Sequence, residues 1–396
     1  MRPEALFSIC RSFGSEPSAA VKTTACPSYP PLLVVNAVRD TAPKLHSLFG
    51  ALPRPDEEWI MKLCLWPARA VVAVFLWVVT LSTVCAGGLT ASGPFPLIDA
   101  HAHLGRSFDF DQIVADMDKN GVSRQIVMAR RYPGGDLDLP GDDQLALKLA
   151  ETYPGRFYPL VGMQLPMLTG ASKWHAPDAE VESLIQLTER KLASGGFFGI
   201  GEFIVRHWAY LPPWAKSPGE HAEQDNPIYS ELMKRFSLLA AKYDVPIVLH
   251  MEGYPALVDD FSRLLKENPG TRYVWVHNCG RSKAAVIRTM LSRHPNLFCD
   301  LGGMTSEVMG YGTGWPRKEE FTALIERSGV LFPEMKSLYE EFPDRFMVGM
   351  DVAHAPAWGK YEGRVRRTRQ VLETLSPETR AKIAERNAIR VFKLPK

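Results

Sequence analysis

Eight apolar segments of strand character, each followed by helical sequence, predict an α/β fold, a closed (β/α)8 barrel of the TIM type over residues 95–396. Four of the strands finish on histidine or aspartate: Leu97-Ile98-Asp99-Ala100-His101-Ala102-His103, Val248-Leu249-His250, Val274-Trp275-Val276-His277 and Met347-Val348-Gly349-Met350-Asp351. These are the first, fifth, sixth and eighth strands. A closed barrel gathers their ends at its C-terminal face, whereas a doubly wound open sheet does not.

The units run in order. Pro96–Ala100 reads as the first strand, and Asp109–Asn120 as an amphipathic helix stopped by Gly121. Ser123–Ala129 is the second strand, and 141–153 its helix, closed by Pro154-Gly155. Phe157–Gln164 and 177–193, ended by Gly195-Gly196, make the third unit. Phe197–Phe203 with 226–243, Val245–His250 with 255–268, and Arg272–His277 with 282–293 make the next three. Asn296–Leu301 with a helix near 334–341, then Arg345–Asp351 with closing helices at 363–375 and 377–392, complete the barrel.

At 396 residues and 46% apolar content the chain can bury a large core. A formal net charge of +2 with 23% charged residues leaves no polybasic surface, which argues against a nucleic-acid partner. The six cysteines contain no CxxC pair, so a zinc ribbon is not expected. Cys279 and Cys299, the two within the barrel, are expected to be unpaired and structural.

Residues 61–86 have the three parts of a secretory signal peptide: a basic start, an apolar run over 70–81, and a small-residue end with Val84 and Ala86 at the −3 and −1 positions. The apolar run is shorter than the ~20 residues that span a bilayer. Export to the periplasm or the medium is therefore the expectation, with retention as a membrane anchor the alternative. Signals of this kind open a chain, so Met61 reads as the start of translation. Residues 1–60, rich in Pro, Ser and Ala, then read as a non-structural extension.

In an extended strand alternate side chains share a face. His101 and His103 thus lie about 7 Å apart on one side and can close on one metal ion. His250 is a further candidate ligand. Asp351 is another, and a carboxylate there can also take a proton from an activated water. His277 is open between metal ligand and acid–base group. Glu202, in Gly199-Ile200-Gly201-Glu202-Phe203, can bridge two metals or support one from behind. No lysine lies in that strand, so a carbamylated-lysine bridge is not available from it.

Together, the Asp99-to-His103 phrase, the strand ending at His250, Val276-His277, Gly349-Met350-Asp351 and the terminal Asn387-to-Phe392 phrase resemble the amidohydrolase superfamily. The closest likeness is to its amidohydrolase-related (amidohydrolase 2) group of metal-dependent hydrolases, over roughly residues 97–394. The resemblance implies that His101, His103, His250 and Asp351 bind a divalent metal, often zinc, as one ion or, with Glu202 bridging, two. It implies catalytic roles for Asp351 and His277. Metal-activated water attacks a small ester, lactone or amide-like substrate; Asp351 takes the proton, and His277 steadies the oxyanion or protonates the leaving group. The alternative is a metal-dependent non-oxidative decarboxylase of an aromatic or unsaturated carboxylic acid. The complete ligand set argues against a catalytically inactive binding barrel.

Loops that follow barrel strands shape the pocket. Arg106 after the first strand, Arg130 after the second, and His207 and Trp208 after the fourth are candidate substrate contacts. Arginines near a metal suit a small molecule that bears a carboxylate.

Overall fold

The computed structural model describes residues 95–105, 108–129, 143–208, 223–305, 322–326, 328–353 and 355–395. The readings made for residues 1–60 and 61–86, and for Arg106 and Arg130, lie outside them.

Eight strands form the centre: β1 (Leu97–Leu104), β2 (Val122–Ala129), β3 (Phe157–Leu160), β4 (Ile200–His207), β5 (Ile247–Met251), β6 (Tyr273–Trp275), β7 (Leu297–Asp300) and β8 (Phe346–Met347). Parallel ladders join β1, β2 and β3 in one run and β4 to β8 in another. Two seams close the ring. Val161 bridges Ile200, with Val161 N–H donating to Gly199 O at 3.0 Å and Gly201 N–H to Val161 O at 2.9 Å. Ala102 bridges Val352, flanked by Ala100 N–H to Val348 O and Asp351 N–H to His101 O, both at 2.9 Å. The closed parallel barrel is the one the sequence predicts.

Helices α1 (Phe110–Lys119), α2 (Asp143–Thr152), α3 (Ala179–Ala193), α4 (Glu231–Tyr243), α5 (Pro255–Glu267), α6 (Ala284–Arg293), α7 (Pro333–Glu341) and α8 (Tyr361–Glu373) follow β1 to β8 in turn. The side chains of Asp109, Asp178 and Ser230 cap α1, α3 and α4 by accepting a backbone N–H three residues on. Pro255 opens α5, where its missing N–H costs nothing.

Two apolar layers result. The outer one lies between strands and helices. The inner one fills the barrel with Ile98, Ile126, Leu160, Val248, Val274, Phe298 and Met347. Ala388, Val391, Phe392 and Leu394, from α10 (Asn387–Phe392) and the residues after it, complete it. Helix α10 follows α9 (Pro377–Ala381) and seals the N-terminal face of the barrel. Arg272 Nε donates to Val391 O at 3.0 Å, and Asn387 Nδ2 to Phe346 O at 2.8 Å.

Bulges decide which side chains reach the interior. Along β1 the pairing jumps from Asp99↔Gln125 to Ala102↔Val127, three residues against two. One inserted residue reverses the alternation. Ile98 and Ala100 face inward below the bulge, and His101 and His103 face inward above it. Along β4 the pairing jumps from Ile200↔Ile247 to Phe203↔Leu249, again three against two, and Glu202 turns inward there. Gly201 sits in that bulge at φ 146°, where a Cβ would come within 2.4 Å of Val248 O. Only glycine fits.

Two expectations are corrected. β6 stops at Trp275, not at His277. His277, Asn278, Cys279, Gly280 and Arg281 form a left-handed turn with φ of 57°, 53°, 53°, 66° and 59°. Cys279 and Cys299 are not unpaired: they form a disulfide, with Cα atoms 5.1 Å apart. The reason is geometric. Trp275 pairs with Cys299 across β6 and β7, and the left-handed turn swings Cys279 back over that pair.

Candidate functional site

The strand ends bring His101, His103, Glu202, His250, His277 and Asp351 into one cluster. His101 Nε2 and His103 Nε2 are 3.2 Å apart. Asp351 Oδ1 lies 3.6 and 3.4 Å from them, and Glu202 Oε2 3.9 and 3.7 Å. A tetrahedral ion with bonds of about 2.0–2.1 Å spaces its ligand atoms about 3.3–3.4 Å apart, so the His101, His103 and Asp351 atoms are spaced to share one divalent ion, with Glu202 slightly further off. The other oxygen of Glu202 faces a second group. Oε1 is 3.3 Å from His250 Nδ1 and 3.9 Å from His277 Nε2, and those two nitrogens are 3.0 Å apart.

The outer nitrogens show what the inner ones present. His101 Nδ1 lies 3.0 Å from Asp300 Oδ2, His250 Nε2 3.0 Å from Glu252 Oε1, and His277 Nδ1 2.8 Å from Gly302 O. Carboxylates and carbonyls only accept, so each ring gives its proton outward and turns a lone pair inward. Lone pairs facing one another beside two carboxylates repel unless a cation or a proton sits among them. A metal ion answers that demand, and the outward bonds are those that orient metal-binding histidines.

Without an ion the cluster takes a proton. Burial disfavours a charged His101, but Asp300 and Asp351 outweigh it and push the ring up to about 10. Burial, then Arg281 and His250, push His277 down to about 3. Burial opposes ionised Asp351 and Glu202, yet the surrounding histidines hold both below the usual carboxylate range. The raised His101 stabilises the metal-free fold most below the ordinary histidine range. That contribution is lost as pH climbs from there through about 10. Zinc binding is therefore expected to expel protons from the cluster at pH 8, His101 giving one up. Titration calorimetry in two buffers of different ionisation enthalpy checks this; a buffer-independent heat would refute it.

Asp351 is the open member of the set. Its side chain is 27% exposed, against at most 7% for His250 and less for the others. Arg364 Nη1 holds the carbonyls of Met350 and Asp351 at 2.7 and 2.9 Å. His207 closes β4 with its ring 5.2 Å from that of His250. Trp208 packs in the outer apolar layer and not among the donors.

Three buried residues escaped the sequence reading: Asp300, Glu252 and Gln164, whose Nε2 donates to Glu202 Oε2 at 2.6 Å. The signal existed for two of them. Leu297-Phe298-Cys299-Asp300 is another apolar strand that ends on a carboxylate, and Glu252 stands two residues past His250.

The chain matches the family model described as Amidohydrolase over residues 98–394. No curated protein matches it. Among solved structures it is similar to an uncharacterized TIM-barrel protein from Bordetella bronchiseptica, with 14% identity, 72% of this chain and 83% of that one covered, and a TM-score of 0.48. It is similar to an amidohydrolase from Burkholderia multivorans (16%; 76% and 100%; 0.46). It is also similar to 2,6-dihydroxybenzoate decarboxylase from Rhizobium (14%; 76% and 99%; 0.43). The match over most of its length places the chain in the amidohydrolase family of metal-dependent hydrolases and decarboxylases, and makes it an enzyme.

Proposed function

We propose that the protein is an exported hydrolase, acting on a small ester, lactone or amide-like substrate. The observation that carries the proposal is the inward-facing donor cluster with Asp351, its one partly open carboxylate, beside it. His101, His103 and Asp351, with Glu202 beside them, would hold a divalent ion, zinc by the chemistry of the donor set. When bound, the ion supplies Lewis acidity: it polarises a carbonyl oxygen and lowers the pKa of a water. Asp351 takes the water's proton on Oδ2, the oxygen turned away from His101 and His103. Glu202 shares its charge between the two histidine pairs. His277, held neutral by burial, keeps its Nε2 lone pair toward His250. The split of the Glu202 oxygens favours a second ion held by His250, His277 and Glu202. Export is supported by the signal-like segment at 61–86 and by the Cys279–Cys299 disulfide, a bond that persists in oxidising compartments.

The test is elemental analysis of the full-length protein prepared without chelators, followed by a screen of lactones, esters and carboxylated phenols. Metal-dependent acid release from a lactone or ester supports the proposal. Release of CO2 with no hydrolysis would replace it with the decarboxylase. A protein that takes up no metal even on reconstitution would sink both.

A further inference from the structure

We propose that Asp300 is the positioning residue of this site. It fixes which nitrogen of His101 faces the metal donors, and it holds the turn that carries His277. The inference rests on the metal-dependent reading above.

Asp300 closes β7 and is fully buried. Its Oδ2 lies 3.0 Å from His101 Nδ1. Its Oδ1 accepts His277 N–H at 3.0 Å and Gly302 N–H at 2.8 Å. Gly302 O in turn accepts from His277 Nδ1 at 2.8 Å. One carboxylate thus binds the side chain of one site histidine and the backbone of another.

The first task concerns the tautomer. An ionised carboxylate only accepts, so His101 must present Nδ1–H to it and keep the Nε2 lone pair for the cluster. Negative charge at the outer nitrogen also makes the inner one a better donor to a metal. The second task concerns the backbone. A run of left-handed residues persists only where its surroundings over-determine it. Asp300 grips the N–H of His277, the first residue of that run. Gly302 completes the grip. A Cβ there would lie 2.6 Å from His101 Nδ1 and 2.9 Å from Asp300 Oδ1. The bare backbone lets one residue give its N–H to Asp300 and its C=O to His277.

Asp300→Asn tests this. The amide keeps the shape and an acceptor for both backbone N–H groups, but it turns a donor toward His101 Nδ1. That nitrogen must then accept, and the ring proton moves to Nε2, inside the cluster. The full-length variant and parent are compared for Zn2+ affinity, by competition with a chromophoric chelator, and for thermal unfolding without metal. The affinity is expected to fall about 10–100-fold while the metal-free unfolding temperature stays near that of the parent. In 15N-histidine spectra of the zinc-loaded protein, one ring with a protonated Nδ1 and a metallated Nε2 should be lost in the variant. A variant that unfolds earlier yet binds Zn2+ as the parent does would leave Asp300 a purely structural role and overturn the proposal. If Asp300→Asn does not fold, Asp300→Ser takes its place: a drop of about tenfold supports the assignment and unchanged affinity overturns it. A parent that binds no Zn2+ would refute the metal reading itself, and this inference with it.

Discussion

His103→Ala is expected to lose Zn2+ affinity by more than about a hundredfold and to leave the barrel folded. Changes to groups that merely support a metal ligand cost about 10–100-fold, and removing a ligand exceeds that. His103 is the informative choice because the fold asks nothing else of it. Among the described residues its Nδ1 meets no hydrogen-bond partner, so its polar engagement there runs through Nε2, toward His101, Asp351 and Glu202. His101 differs: removing it would also leave Oδ2 of buried Asp300 without the ring nitrogen it faces. Deleting the His103 ring should cost the metal-free protein about 1–3 kcal/mol, the ordinary price of a buried truncation. Chelator competition and urea unfolding measure the two effects separately. A His103→Ala protein that binds Zn2+ like the parent would remove the β1 pair from the metal site.

Opening the Cys279–Cys299 bridge, by reductant or by replacing both residues with serine, is the second large effect. A bridge across a 20-residue separation restricts the unfolded chain, worth about 3 kcal/mol. The local consequence reaches further. Cys279 is the third residue of the left-handed turn, and each non-glycine residue in that region costs roughly 1–2 kcal/mol. Without the bridge, the turn is held by hydrogen bonds alone, among them Asp300 on His277 N–H, Tyr339 Oη on Asn278 Oδ1 at 2.9 Å, Gly253 N–H on Gly280 O at 2.9 Å, Arg281 Nη1 on Glu252 at 2.6 Å and Thr322 N–H on Arg281 O at 3.2 Å. The turn is expected to relax toward ordinary backbone and to carry His277 away from His250. Unfolding in urea should show the loss of stability, and hydrogen exchange should show faster opening confined at first to 276–282. If the serine variant matches the parent in both, the bridge does not hold the turn.

Much of the barrel can be read in the sequence because each β/α unit carries its own signals. Gly121, Pro154-Gly155 and Pro269-Gly270 punctuate the chain, and every helix that they close forms within a few residues of its expected place. The chemistry at the strand ends is legible for the same reason: a polar residue after an apolar run is a local pattern. What escapes is non-local. The left-handed turn at 277–281 has one glycine among five residues, and nothing in their order demands φ > 0; contacts from the residues just after β5 and from β7 impose it. The disulfide depends on that turn, so it is hidden with it. The bulges at Asp99–Ala102 and Ile200–Phe203 appear only once a neighbouring strand fixes the register. Simple alternation from Ile98 would send His101 and His103 outward, and the bulge sends them in.

The seal on the barrel's N-terminal face has a consequence for when the protein can fold. Ala388, Val391, Phe392 and Leu394 fill the floor beneath Ile98, Ile126 and Val248, so the innermost layer is complete only once this stretch joins the first strands, far behind them in sequence. Chains generally begin to fold from their N-terminal end as they emerge from the ribosome. Here the early strands lack a finished core until the 388–394 stretch is present, so the barrel is expected to close late. Were the protein exported, as proposed above, such a keystone would keep the chain in a transportable state until the barrel closed. The barrel would then lock only on the far side, in the compartment where Cys279 and Cys299 can join.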